Sequence, residues 1–380
     1  MASEKKHFVI PAKAGIQYYC GIVLGSRLRG NDKKTNMKTI NFWKKLKKPF
    51  FALAPMADVT DSAFRAIITK YGKPDVLWTE FVSADGLCLA PKLGREKLLK
   101  SFEFTKEEKP IVAQIFGSKP ENIEKASRLI ADLGFDGVDI NMGCPDKTIE
   151  KQCAGASLIK NPKLAKEIIQ AAKRGATSGK NKIPVSVKTR IGFNKIELES
   201  WIPAILEEDI DALTVHARTR KEMSLVPANW DYVKRAVEIR DELGKSTLII
   251  GNGDVKNIEE GILRIKETGC DGIMIGRGIF GTPWLFSELR GKKIEPDIEK
   301  KLKILIEHTK IFEKKLTGFK NFSVMKKHFK AYVTCPPCSE PAGEGRRDEF
   351  RKMKELREKL MQTENSKEVE KIIKEFLKII

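Results

Sequence analysis

The run Asp139-Ile-Asn-Met-Gly-Cys-Pro145 places an amide, a glycine turn and a thiol together at the end of an apolar stretch. The Asn141 amide is suited to hydrogen-bond a pyrimidine edge. The Cys144 thiol, its backbone stiffened by Pro145, is suited to deliver a proton to it. A lone Cys-Pro is equally compatible with a packed core thiol. Here other apolar runs end in chemically equipped residues too, and that favours a shared site.

Those ends are Pro55-Met56, Gln114 ahead of Phe116-Gly117, Lys188 with Arg190, His216-Ala-Arg218, Gly251-Asn-Gly-Asp254 and Gly276-Arg-Gly278. Glycine-rich turns with a neighbouring arginine are suited to a phosphate, because they expose backbone N–H groups. With Lys188 and His216 they suggest flavin mononucleotide (FMN). A cation at the pyrimidine end of an isoalloxazine stabilises the anionic reduced flavin, a role open to Lys188. The alternative for Lys188 is a salt bridge inside the fold. Gln114 is suited to the flavin's pyrimidine edge, and the Pro55-Met56 backbone to packing on its rings. Asn252, Gly253, Asp254, Gly276 and Arg277 complete the expected cofactor set with His216, and Arg190 and Arg218 are assigned with Asn141 to the substrate.

Short apolar runs must position these residues. They recur at 50–55, 76–80, 111–116, 137–141, 184–189, 212–216, 248–251 and 272–276, with amphipathic stretches at 61–71, 121–133, 162–174, 230–243 and 257–268 between them. This alternation predicts a (β/α)8 TIM barrel, whose reacting centre lies at the C-terminal strand ends. A doubly wound open sheet would place a glycine-rich phosphate turn after the first strand, which here ends Ala54-Pro-Met-Ala-Asp58. Beyond Pro296 the pattern becomes long and Lys/Glu/Leu-rich, at 298–316, 322–333, 348–361 and 367–380, predicting a C-terminal all-α domain over 291–380. The barrel is expected over 37–290.

The formal net charge is +20, and it sits on the flanks: 12 basic against 2 acidic residues in 1–48, and 23 against 15 in 291–380. A long phosphate backbone would be gripped by such an arrangement, and a solvated basic surface is the alternative. Lys326, Lys327, Lys330, Arg346, Arg347 and Arg351 are the candidate contacts. Residues 1–36 show neither helical nor strand periodicity, and read either as a disordered basic arm or as a translated repeat element preceding a start at Met37. The seven cysteines, odd in number and widely spaced, argue for free thiols in a reducing compartment. No apolar run approaches the length of a membrane span, so the chain is expected to be soluble; a cytoplasmic location, a monomer and no metal are expected besides. Cys335-Pro-Pro-Cys338 has no second Cys/His pair at ligand spacing, and reads as part of an exposed loop at 335–350.

Ala54-Pro-Met-Ala-Asp-Val-Thr-Asp61, Asn141-Met-Gly-Cys-Pro145, Gly155-Ala156, Val187-Lys-Thr-Arg190, His216-Ala-Arg-Thr219, Gly251-Asn-Gly-Asp254 and Ile275-Gly-Arg-Gly278 together resemble the dihydrouridine synthases, over residues 48–333. Met325-Lys-Lys-His-Phe329 is similar to their bacterial B-type branch. The resemblance implies reduction of the uracil C5=C6 bond in tRNA, with FMN as cofactor, NADPH as reductant, Cys144 as general acid and Asn141 on the uracil edge. Cys153 stands where that family more often has Gly, Ala217 where Gly is common, and 335–350 looks inserted. The rivals are a flavin barrel acting on a free pyrimidine, of the dihydroorotate-oxidising kind, dihydrouridine formation in ribosomal RNA, and a non-catalytic RNA-binding relative. The last would be expected to lack Cys144.

Overall fold

Strands of the middle of the chain are buried at nearly every position, the pattern of a parallel sheet covered on both faces. In the computed structural model, which describes residues 41–292, 294–333 and 344–379, they are β1 Phe50–Leu53, β2 Leu77–Ser83, β3 Ile111–Phe116, β4 Gly137–Met142, β5 Val185–Arg190, β6 Ala212–His216, β7 Leu248–Asn252 and β8 Gly272–Ile275. All neighbours pair in parallel in the order β1-β8-β7-β6-β5-β4-β3-β2. A bridge between Ala52 and Val76 joins β1 to the start of β2 and closes the barrel. The expected extension of residues 1–36 lies outside the described residues.

Around the barrel run α1 Ser62–Gly72, α2 Ala84–Leu89, α3 Lys92–Lys100, α4 Pro120–Asp132, α5 Lys147–Glu150, α6 Pro162–Ser178, α7 Leu198–Leu206, α8 Asp231–Glu242 and α9 Ile258–Thr268. Their starts follow simple capping chemistry. Asp61 accepts from the N–H groups of Ala63 and Phe64, Asn161 from that of Leu164 and Asn257 from that of Glu260. The barrel interior is filled by Phe50, Ala52, Trp78, Val112, Ile250 and Met274, with Phe42 and Trp43 packed in the same cluster. A larger core lies between strands and helices.

The C-terminal helices are α10 Ile298–Leu316, α11 Lys326–Tyr332, α12 Glu344–Leu360 and α13 Ser366–Phe376. Two sequence expectations are corrected here. The stretch 322–333 is not one helix: a 3-10 turn over Phe322–Met325, capped by Asn321, precedes α11. The loop expected at 335–350 is shorter, because α12 already begins at Glu344. Cys335 and Cys338, and the side chains of Arg346 and Arg347, lie outside what is described.

The helices do not form a separate body. Their core of Leu305, Phe312, Phe329, Leu356 and Ile373 continues into Ala63 and Ile67 of α1 and into Trp284, and barrel and helices share one compact unit. Burial of each large side chain at such a seam stabilises by about 1.5–3 kcal/mol. Among the described residues no helix is long and apolar enough to cross a membrane.

Candidate functional site

The C-terminal ends of β1, β5, β6, β7 and β8 converge on a cavity of about 520 Å³. Its wall combines apolar residues, Ala54, Pro55, Met56, Val255 and Met274, with the cations Lys188, Arg190, Arg218 and Arg277. His216, Asn252, Gly253, Asp254 and Gly276 complete it, with Pro145 at one edge. Apolar walls with a few converging polar groups are the common form of a small-molecule site.

Lys188 extends from β5, and its Nζ donates to Asn252 Oδ1 at 3.0 Å. Asn252 is in turn fixed by donating to the Met274 carbonyl at 2.8 Å, so residues of β5, β7 and β8 together set the position of this amine. Burial, with Arg190 nearby, pushes Lys188 down to about 8 despite the opposing charge of Asp139. Arg218 donates to the Val226 carbonyl at 2.6 Å and to Asp254, and its Nη1 lies 3.2 Å from His216 Nε2. A guanidinium has no acceptor, so Nε2 of His216 accepts and Nδ1 carries the proton. Burial and then the cations of Lys188, Arg190 and Arg218 push this histidine well below its usual range, leaving a neutral ring. Asp254 also accepts from Arg277 at 2.8 Å. Burial alone would raise its carboxyl, but the Ala228 N–H and Arg218 outweigh burial and hold it low. Two glycines are needed for close approach here: a Cβ on Gly278 would come 2.6 Å from the Val255 carbonyl, and Gly253 has φ 137 with a Cβ position 2.7 Å from Ala228 Cβ.

Cys144 stands beside the cavity, immediately before its wall residue Pro145. The Cys144 N–H donates to Asn141 Oδ1 at 2.9 Å, and its carbonyl accepts from the Ala156 N–H at 3.0 Å. The half-buried side chain packs with Phe81, Phe116, Ile149 and Ala154. Burial pushes its thiol up, and the weaker pull of Arg190 and Lys188 does not reverse this, so it is protonated at neutral pH. The segment folding back over it passes through Cys153 at φ 56 and Gly155 at φ 62. A Cβ on Gly155 would come 2.8 Å from the Cys144 carbonyl.

Two expected ligand residues are placed differently. Gln114 does not line the cavity: its Nε2 donates to Asp139 Oδ2 at 2.6 Å, and its Oε1 accepts from Asn141 Nδ2 at 3.0 Å. Asn141 spends its oxygen on the N–H groups of Gly143 and Cys144. Both belong to a buried layer beneath the cavity that also contains Asp139 and Ser186, whose Oγ donates to Asp139 Oδ1 at 2.6 Å. Burial raises Asp139 to about 6 against those hydrogen bonds. Sequence reasoning gave Asp139 and Ser186 no role; their side chains face each other only because β4 and β5 pair at Asp139 and Ser186.

Arg190 donates to the carbonyls of Gly143 at 2.8 Å and of Thr219 and Met223 at 3.1 Å, tying the loops after β4 and β6 to the end of β5. Lys326, Lys327 and Lys330 line a separate surface depression with Arg357 and Met361.

The chain matches the family model described as dihydrouridine synthase over residues 52–378. It is 38% identical over 340 residues to the probable tRNA-dihydrouridine synthase 2 of Bacillus subtilis (strain 168), covering 89% of this chain and 97% of that protein. It is also 38% identical over 338 residues to the probable tRNA-dihydrouridine synthase of Staphylococcus aureus (strain MRSA252), covering 88% and 95%. Among solved structures, histamine dehydrogenase from Rhizobium sp. 4-9 aligns with a TM-score of 0.47 at 13% identity, over 69% of this chain and 48% of that one.

Proposed function

Since the chain belongs to the dihydrouridine synthase family, we propose that it reduces the C5=C6 bond of uridine in tRNA, using FMN in the barrel cavity and NADPH as the source of electrons. The observation that carries this reading is one cavity wall that joins apolar residues with several cations, with a protonated thiol beside it. FMN asks for the same combination: apolar surface for the ring system, a cation for its pyrimidine end and an anion site for its phosphate. Pro55 and Met56 would pack on the rings, Lys188 and His216 would hold the pyrimidine end, and Arg277 with the backbone around Gly276 would hold the phosphate. When bound, FMN supplies hydride to C6 of the uracil.

The residues of this chain supply the rest. Cys144 gives the proton to C5, and its raised pKa keeps that proton on sulfur until it is needed. Asn141 shapes the turn that presents Cys144, and one amide hydrogen remains to it for the uracil edge. Gln114 serves by fixing Asn141 and Asp139. Arg218, with Asp254, holds His216 in a single tautomer. Lys326, Lys327 and Lys330 would meet phosphates of an RNA whose target base is turned out of its stack. The basic helices favour RNA over a free pyrimidine, and ribosomal RNA is the second RNA substrate to test.

The test of the cofactor is direct. The purified protein should be yellow, release FMN on denaturation, and bleach under NADPH in the absence of oxygen. A colourless protein that takes up no added FMN would contradict the reading.

A further inference from the structure

The turn that carries Pro55 and Met56 is held from outside the barrel. Lys320, in the link between α10 and the turn at Phe322, reaches back to three carboxylates. Its Nζ lies 2.7 Å from Glu80 Oε1, 3.3 Å from Asp58 Oδ1 and 3.8 Å from Asp61 Oδ2. Lys327 of α11 reaches Asp58 Oδ2 at 3.6 Å. The Glu80 oxygen that meets Lys320 also accepts the Asp58 backbone N–H at 2.7 Å, while its second oxygen is buried with no hydrogen-bond partner among the described residues. Asp58 itself adopts φ 55, a left-handed conformation that costs a non-glycine residue free energy unless its surroundings enforce it. Inside the turn, the Met56 N–H donates to Thr60 Oγ1 at 2.9 Å, so a displacement of Asp58 is transmitted to the cavity wall.

The charges around this point are unequal. Asp58, Asp61 and Glu80 converge on it, and Lys320 is the half-buried cation that meets all three, its side chain 17% exposed. Arg65 also faces Asp61, but is committed to Glu108 and to the carbonyls of Thr60 and Glu103. His328, on the side of α11, lies in the field of Lys320 and Lys327 and is neutral. Burial raises Asp61 to about 6, against the pull of Lys320 and with the help of Glu80.

We propose that Lys320 is a positioning residue for the flavin cavity. From the C-terminal helical part it fixes the Pro55–Asp58 turn through Glu80, Asp58 and Asp61, so that one wall of the cavity is set by the same part of the chain that carries the basic face. Without this cation the three carboxylates repel one another, and the left-handed turn at Asp58 loses its support. The inference rests on the FMN reading above.

The test is FMN binding by the full-length apoprotein, followed by quenching of flavin fluorescence at pH 8 and pH 6. At pH 8, Lys320→Met should bind FMN about tenfold more weakly than the unmodified chain, the loss expected when a turn must be reordered on binding. At pH 6 the ratio should shrink, because protonation of Asp61 relieves part of the repulsion. Lys320→Arg should stay within about threefold at both pH values, since it keeps the charge. Lys320→Met combined with Glu80→Gln should regain affinity at pH 8. An Lys320→Met ratio near one at both pH values would overturn the proposal, as would a loss that neither low pH nor Glu80→Gln relieves, which would mark a structural role only. If the unmodified apoprotein binds no FMN, the flavin reading fails and this inference with it, an outcome distinct from failure of the Lys320 variants alone.

Discussion

Lys188 is the residue whose surroundings most constrain the chemistry. The strand-end position of its amine was legible in the sequence, because a barrel presents such residues at one mouth. Its partner Asn252 was named separately, with no sign that the two meet at 3.0 Å across β5 and β7. Hydrogen-bonded partners on different strands leave no spacing in the chain. Gln114 and Asn141 show the same limit: each amide suits a ligand by type, but the pairing of β3 with β4 makes them partners of each other. The lowered pKa of Lys188, about 8, makes a prediction with a definite sign. Below that value the amine is cationic and attracts the electron-rich pyrimidine end of the flavin; above it the amine is neutral. FMN affinity should therefore fall as pH rises from 7 to 9, by up to about tenfold for each unit above the pKa. Fluorescence titrations across this range should show the decline in the unmodified chain and a flatter profile in Lys188→Met.

At the scale of elements, the eight strands and five of the barrel helices were legible from apolar runs alternating with amphipathic ones. The elements that escaped were those without that pattern. Helix α3 buries none of its residues, and α7 contains Pro203. The segment after Cys144 shows how local backbone conformation constrains sequence: position 153 lies at φ 56, where glycine is at ease and cysteine is strained. Cys153→Gly should raise stability by roughly 0.5–1 kcal/mol, read as a higher urea midpoint with an unchanged slope. An unchanged or lower midpoint would mean that the segment relaxes around cysteine. Helix α1 is tied to the 3-10 turn Lys106–Glu108 ahead of β3 by Arg65, fully buried and bonded to Glu108 at 2.7 Å. Glu108→Ala leaves that guanidinium without its counter-ion and should cost about 3–5 kcal/mol in the same measurement.

At the scale of the molecule, the net charge of +20 and its placement on the flanks pointed to a polyanion before any site was known. The way the helices meet the barrel was not legible, because the seam is made by residues far apart in sequence. His308 and His328 are buried there against Phe64, 4.6 Å apart, with no hydrogen-bond partner on either ring among the described residues. Burial pushes His328 down to about 3 and His308 well below its usual range, so both are neutral in the folded chain. The unfolded chain protonates them near their ordinary value. The stability tied to their neutral form is thus present above about pH 6.5 and is lost as pH falls from there towards 3. Asp61 and Asp139, raised to about 6, act in the opposite sense between about 4 and 6, since there the folded chain holds the extra proton. Comparing the unmodified chain with His328→Phe isolates the histidine. Between pH 6.5 and 5 the variant should lose about 2 kcal/mol less unfolding free energy. Equal losses in urea melts at the two pH values would contradict a neutral, buried His328. The central claim, a reductase of uridine in tRNA that uses Cys144 as its acid, is tested most directly by mass spectrometry of nucleosides from unmodified tRNA incubated with the protein, FMN and NADPH. The account predicts uridine gaining two hydrogens, with Cys144→Ala retaining bound flavin and losing all but a small residue of that gain. A flavin-loaded protein that leaves every uridine unreduced, or a Cys144→Ala variant that turns over normally, would contradict it.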